Sequence, residues 1–149
     1  MDIAAAKKHL RSIRDDHMKI QRLMAKRNEL RFSLYPKAIT YDKDRVQTSP
    51  EDVLSERVSA LFEIEDKITR VGYDLDVKVV KTRAVIRGIP DERCRALLTL
   101  YYTSLTPDGR LYRWEDVAGE IGRATTYIIQ KLHPKALGEY AKHSHNMLT

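Results

Sequence analysis

From Ser49 to Arg87 the chain carries no proline after Pro50 and a single glycine, Gly72, while its apolar residues recur at helical spacing. Leu54, Val58, Leu61, Ile68, Leu75, Val79 and Ile86 fall on one seam, thickened by Ile64 and Val71. One glycine inside a helix costs about 1 kcal/mol relative to alanine, so Gly72 interrupts the seam without ending it. The start is marked as well. Ser49 stands where a cap belongs, Pro50 at the first helical position, and Glu51 and Asp52 at the positive end of the helix dipole. A continuous helix here would span roughly 55 Å at ~1.5 Å per residue. No small core buries that length, so the stripe must pair with something. The β-branched run VKVV, Val77 to Val80, leaves a strand open as the local alternative.

Two candidates can cover the stripe. Met1 to Leu34 holds neither Pro nor Gly, and Ala6, Leu10, Ile13, His17, Ile20, Met24 and Arg27 alternate at spacings of four and three, as in a heptad seam. His17 and Arg27 interrupt it, His17 as a tolerated polar residue or register device rather than a ligand. The stretch YPKAITYDKDRVQ, Tyr35 to Gln47, breaks the pattern and reads as a connecting loop. An antiparallel hairpin of the two helices follows, and a second copy of the chain is the other cover. A homo-oligomer, first of all a dimer, joined through residues 1–86 is therefore expected. Charge agrees with side-by-side packing: residues 1–36 hold nine Lys/Arg against four Asp/Glu, and residues 49–86 hold six against eight. The net charge of +6 suits a polyanionic partner and equally a solvated basic surface.

At 149 residues the chain has room for one modest domain or a small domain with an extension. No apolar run approaches the ~18 residues of a membrane span. The first residues lack the apolar segment of a secretory signal, and Cys94 is alone, so a reducing, cytoplasmic setting away from membranes is expected. There is no phosphate-cradling glycine loop, nucleophile elbow or zinc-protease helix motif. His143 and His145 lack the further ligands of a metal site. The carboxylates of the second helix read as a solvated face. The expectation is a protein that is not an enzyme and holds no cofactor and no metal.

Gly88, Ile89 and Pro90 punctuate the chain and divide it into a long helical oligomerisation region, 1–87 with its loop at 35–48, and a small domain, 88–149. DERCRALLTLYYTSL reads as a third helix, with Leu97, Leu98, Tyr101 and Leu105 on its apolar side and Cys94 as a small core residue. TPDGR, Thr106 to Arg110, is a turn by composition. In WEDVAGEIGRATTYIIQKL, Trp114, Val117, Ala118 and Ile121 make one apolar face, with Trp114 as a core anchor. Gly122 follows where a left-handed residue ends a helix without a Cβ penalty. Ile128 and Leu132 then resume the apolar face. That is the spacing of a helix-turn-helix, whose second helix enters a DNA major groove; an ordinary helical hairpin that touches no DNA shares it. The fold class expected is all-α: a long N-terminal helical hairpin or coiled coil followed by a small helix-turn-helix domain.

If Ile128 and Leu132 face inward, the outward face begins at Thr125 and Thr126 and continues through Ile129, Gln130 and His133. Threonine hydroxyls meet phosphates or bases, Gln130 suits an adenine edge, and Ile129 a thymine methyl. Arg123, Lys131 and Lys135 are placed for phosphates. Tyr127 either offers its hydroxyl to a phosphate or packs its ring on the third helix.

LLTLYYTS, WEDVAGEIG and TTYIIQKLHPKALGEY together resemble the C-terminal helix-turn-helix of sigma factors, called region 4. The likeness is nearest to phage late-transcription regulators of the ArpU/RinA type. Their loop-and-cap element resembles YDKDRVQTSPEDVL, Tyr41 to Leu54, and their helix ending in L-H-x-x-A-L corresponds to Leu132, His133, Ala136 and Leu137. The resemblance covers most of residues 41–140 and implies a phage or prophage regulator that binds double-stranded DNA at a promoter and touches RNA polymerase. An oligomeric phage assembly protein, such as a terminase small subunit, is the alternative. Two departures stand out: Ala124 occupies the place of the usual Ser or Thr cap, and Pro134 follows His133. A proline there removes a backbone donor and crowds the carbonyl of Gln130, so the helix is expected to kink or end near His133.

Overall fold

A computed structural model describes residues 1–34 and 50–148, the side chains of Pro50 and of residues 145–148 excepted. The expected loop at 35–48, the Ser49 cap and the His145 side chain lie outside the described residues. Among those described, the chain is helical, with no strand and one isolated antiparallel bridge between Leu105 and Leu111. The elements are α1 (Ile3–Leu34), α2 (Pro50–Arg87), α3 (Glu92–Leu98), α4 (Trp114–Ile121), α5 (Thr125–Tyr127) and α6 (His133–Leu148). A π-helical turn, Thr99–Thr103, extends α3, and a second, Ile128–Leu132, joins α5 to α6.

The all-α expectation is met. VKVV is helical, within the 38 residues of α2. The helical stripe outweighs local β-propensity there, because Leu75, Thr82 and Ile86 on either side are buried at α-helical spacing.

The chain forms two compact units, one of Met1–His17 with Leu75–Thr149, the other of Met18–Asp74. In the second, α1 and α2 lie antiparallel: Arg31 pairs with Glu65, and Arg57 donates to the carbonyl of Ser33 at 3.2 Å. Its seam is only half covered. Ile20, Leu23 and Leu30 on α1 and Leu61, Ile64 and Ile68 on α2 are partly buried, and Met24 is exposed.

The first unit holds the core. Ala6, Leu10 and Ile13 of α1 are fully buried, and two of them share a cluster with Ile86, Ile89 and the helices beyond. His17, next on that seam, is half-buried with an Nε2 that has no hydrogen-bond partner, and burial lowers its pKa. Ion pairing fixes the register of the antiparallel ends, with Lys78 Nζ 2.7 Å from Asp16 Oδ2. The carboxylate of Asp91 caps α3, accepting from the backbone N–H of Arg93 and Cys94 at 2.9 and 3.2 Å. Cys94 is buried, and burial pushes its thiol up to about 11, so it packs as a small apolar residue.

Arg14 ties α1 to this unit. Its guanidinium donates to the carbonyls of Tyr101 and Tyr112 at 2.6 and 3.0 Å, and its Cζ sits 3.9 Å from the centroid of the Tyr101 ring. Neither carbonyl belongs to a neighbour in sequence, so one side chain closes two long-range contacts. Removing a charged donor from partly buried carbonyls costs about 1.5–3 kcal/mol. Arg14→Ala should therefore lower the thermal midpoint by several degrees. Arg14→Lys should recover little of it, since an ammonium cannot cover the ring and reach both oxygens together. Thermal melts by circular dichroism check this, and a full rescue by lysine would refute the dual contact.

Candidate nucleic-acid interface

The corner between α4 and α5 is built by backbone geometry. Asp116, in the first turn of α4, accepts from the backbone N–H of Arg113 at 2.9 Å. It also pairs bidentately with Arg110, through contacts of 2.6 and 3.0 Å. Arg110 is the main cause that holds the Asp116 carboxyl down to about 2. At the other end Gly122 adopts φ 78°, ψ 35°, and its N–H donates to the carbonyl of Ala118 at 2.9 Å. The Arg123 N–H reaches the same oxygen at 3.2 Å. The chain therefore turns out of α4 as a left-handed cap, a conformation costing roughly 1–2 kcal/mol for a residue with a Cβ. Val117 and Ala118 are buried, and Trp114 and Ile121 pack partly buried against the core, as the apolar pattern anticipates. Ala124 is extended (φ −64°, ψ 143°) and supplies no side-chain cap to α5.

Beyond the corner the helical path does not end at His133. It runs from α5 through the π turn into α6, with Ile128 and His133 both in right-handed helical conformation. Of the two outcomes expected from Pro134, a kink or an end, the end does not occur. The His133 N–H bonds five residues back to the carbonyl of Ile128, so the wider turn makes room for the proline and for its missing donor.

The same insertion decides which residues face out. Ile128 and Leu132 are buried, and Thr126, Ile129, Gln130 and Lys131 are exposed, with Arg123 exposed at the corner. Thr125 is half-buried. Tyr127 is partly buried against the core, so its ring packs. His133 departs from expectation. The extra residue of the π turn passes the outward edge from His133 to the exposed Pro134 and swings the imidazole inward. There it meets Trp114 edge-on at 4.7 Å between ring centroids, and its Nε2 lies 2.6 Å from the Tyr102 hydroxyl. Lys135 is exposed but ion-paired, its Nζ 2.8 Å from Asp91 Oδ2. A phosphate at Lys135 would compete with the carboxylate that caps α3.

Residue patterning alone does not reveal the Arg110–Asp116 pair or the aromatic group of Tyr101, Tyr102, Trp114 and His133. Tyr101 and Trp114 stack with centroids 3.7 Å apart and planes 10° from parallel. Their signal in the sequence is the YY pair, which the π turn after α3 directs so that Tyr101 meets Trp114 and Tyr102 meets His133. Against family models, curated proteins and solved structures, the chain finds no match.

His133 also sets a pH dependence. Burial pushes its pKa down to about 4, with Lys7 adding repulsion. The folded value lies below the ordinary 6.5, so the unfolded chain binds the proton more tightly. Stability is complete above about pH 6.5 and is lost as the pH falls toward 4. His9 and His17, also lowered by burial, act in the same direction. Urea unfolding should show a clear drop in midpoint between about pH 7 and pH 4.5. His133→Gln should shrink that drop; an equal drop in both proteins would remove His133 as a source.

Proposed function

We propose that the chain is a DNA-binding transcription regulator of phage or prophage origin, which reads double-stranded DNA at a promoter through α5 and the π turn behind it and acts there with RNA polymerase. The observation that carries this is the left-handed Gly122 corner, followed by an exposed edge of Thr126, Ile129 and Gln130 with Arg123 and Lys131 beside it. A hydroxyl, an aliphatic side chain and an amide at positions i, i+3 and i+4 suit base edges and a thymine methyl, and the two cations suit phosphates. His133 drops out of the reading set, and Lys135 and Thr125 are secondary to it.

A second reading is kept for one reason. In the Met18–Asp74 unit Phe62 and Tyr73 are 67% and 70% exposed. They stand eleven residues apart on α2 and so at nearly the same azimuth. Exposed aromatics on a helix face favour self-association, which both a dimeric regulator and an oligomeric assembly protein would use.

Two measurements test these readings. In salt titrations against specific and random duplexes, Gln130→Ala should relax preference at one base position by about 1–3 kcal/mol. Lys131→Ala should weaken all duplexes alike and reduce the salt slope by about one. Wild-type protein without salt-dependent affinity for any duplex overturns the regulator. In sedimentation velocity, Phe62→Glu with Tyr73→Glu should convert an oligomer to a folded monomer. A wild type that is already monomeric at high concentration removes self-association, and rings formed without DNA favour assembly.

A further inference from the structure

The end of α2, the outer face of α3 and the end of α4 enclose a concavity of about 880 Å³. Four arginines line it: Arg83, Arg87, Arg93 and Arg95. Among the described residues none of the four is in an ion pair. Arg83 is steadied by Thr103, donating to its hydroxyl and carbonyl at 3.3 Å each, and Arg95 by the carbonyls of Ile89 and Pro90 at 2.7 and 3.2 Å. These bonds leave both guanidinium groups with unused donors, since each carries five N–H groups. The side chains of Arg87 and Arg93 make no hydrogen bond to any described residue. Arg83 and Arg87 stand four apart on one helix, a like-charge spacing that destabilises the free protein. An anionic group entering the concavity would relieve that repulsion.

The floor tells which kind of anion fits. Ile86 is buried there, and Leu100 and Ile121 are partly buried against the core beneath it. A phosphodiester backbone has nothing to offer three aliphatic side chains. Glu92 and Glu120, on the same rim, would repel its uniform row of charge. A polypeptide offers what a phosphate row does not: apolar side chains for the floor, carboxylates for the arginines, and donors for the two glutamates. The volume also matches several side chains rather than one phosphate group.

We infer that this concavity docks an acidic, amphipathic segment of a partner protein, with aliphatic side chains on Ile86, Leu100 and Ile121 and carboxylates on the four arginines. The inference is independent of the DNA reading, which uses other residues.

The probe is a fluorescein-labelled helical dodecapeptide, Glu-Glu-Leu-Leu-Glu-Lys-Leu-Leu-Glu-Glu-Leu-Leu, whose lysine supplies a donor for the rim glutamates, read by anisotropy. It should bind wild-type protein with an affinity that falls as salt rises. Replacing its leucines by glutamine should weaken binding at least tenfold. Arg87→Glu with Arg93→Glu, both exposed positions, should also weaken it at least tenfold, with unchanged affinity for a random duplex. The thermal midpoint should be no lower than that of wild type, since the carboxylate introduced at position 87 would face Arg83 across one helical turn. Lys131→Ala should do the reverse, losing duplex and keeping peptide. The inference is overturned if the peptide does not bind, if the leucine-free peptide binds as well, or if the double variant binds it like wild type. It is equally overturned if the double variant loses random duplex instead, which would make the concavity a phosphate surface.

Discussion

A guanidinium and a run of rings hold the unit of Met1–His17 and Leu75–Thr149 in register. Arg14 lies over Tyr101, Tyr101 stacks on Trp114 at 3.7 Å, and Trp114 meets His133 edge-on at 4.7 Å. His133 closes the set by its 2.6 Å hydrogen bond to Tyr102. The members come from four stretches: α1, the π turn after α3, which supplies both tyrosines, the first residue of α4, and the first residue of α6. Aromatic pairs contribute about 0.5–1.5 kcal/mol each beyond their buried area, and a cation over a ring adds about as much. A handful of such contacts is comparable to the whole net stability of a domain this size. Two devices thus act on α4 from its two ends: Gly122 turns the chain out of its last residue, and the rings hold its first residue, Trp114, against Tyr101 and His133.

The parts of this arrangement that rest on period and backbone chemistry are legible in the sequence. The glycine-free, proline-free run of α1 and the long stripe of α2 announce helices, since little else uses 3.6-residue spacing over such lengths. Gly122 is legible because the residue after a short amphipathic helix has few options, and glycine meets the left-handed one without penalty. Ala6, Leu10 and Ile13 are legible as seam residues, and they are buried. Past His17 the same seam is a poorer guide. A 3.6-residue helix drifts against a heptad pattern, so Leu23 and Leu30 join the seam residues Ile20 and Arg27 in partly buried places while Met24 turns to solvent.

What patterning misses are features made by one inserted residue or by two distant ones. A π turn leaves no compositional mark, yet it moves every later side chain by about one position around the axis. That is why Ile129 and Gln130 face out as the α-period requires, while His133, four residues after Ile129, faces in. Pro134 is the one trace in the sequence: a proline within a helical run calls for a break or for a wider turn before it, and here the wider turn is used. Arg110 and Asp116 are invisible for another reason. Their pairing depends on the tight turn at Gly109, which brings the end of the loop back against the start of α4.

Charge in this unit is therefore sorted by what lies beneath it rather than by amount. Arg123 and Lys131 stand on an exposed edge whose neighbours are polar or singly aliphatic, a surface that a charged, hydrated backbone can approach without stripping water from buried apolar groups. Arg83, Arg87, Arg93 and Arg95 stand around aliphatic side chains already continuous with the core. A phosphate brought there would lose its water against Ile86 and Leu100 and bury no apolar surface of its own in return. A side chain of matching shape instead stabilises the complex by roughly 25 cal/mol for each Å² it removes from water. Similar cations can thus select opposite partners. The net charge of +6 hides the distinction, because it counts the guanidinium groups and ignores the floor on which they stand.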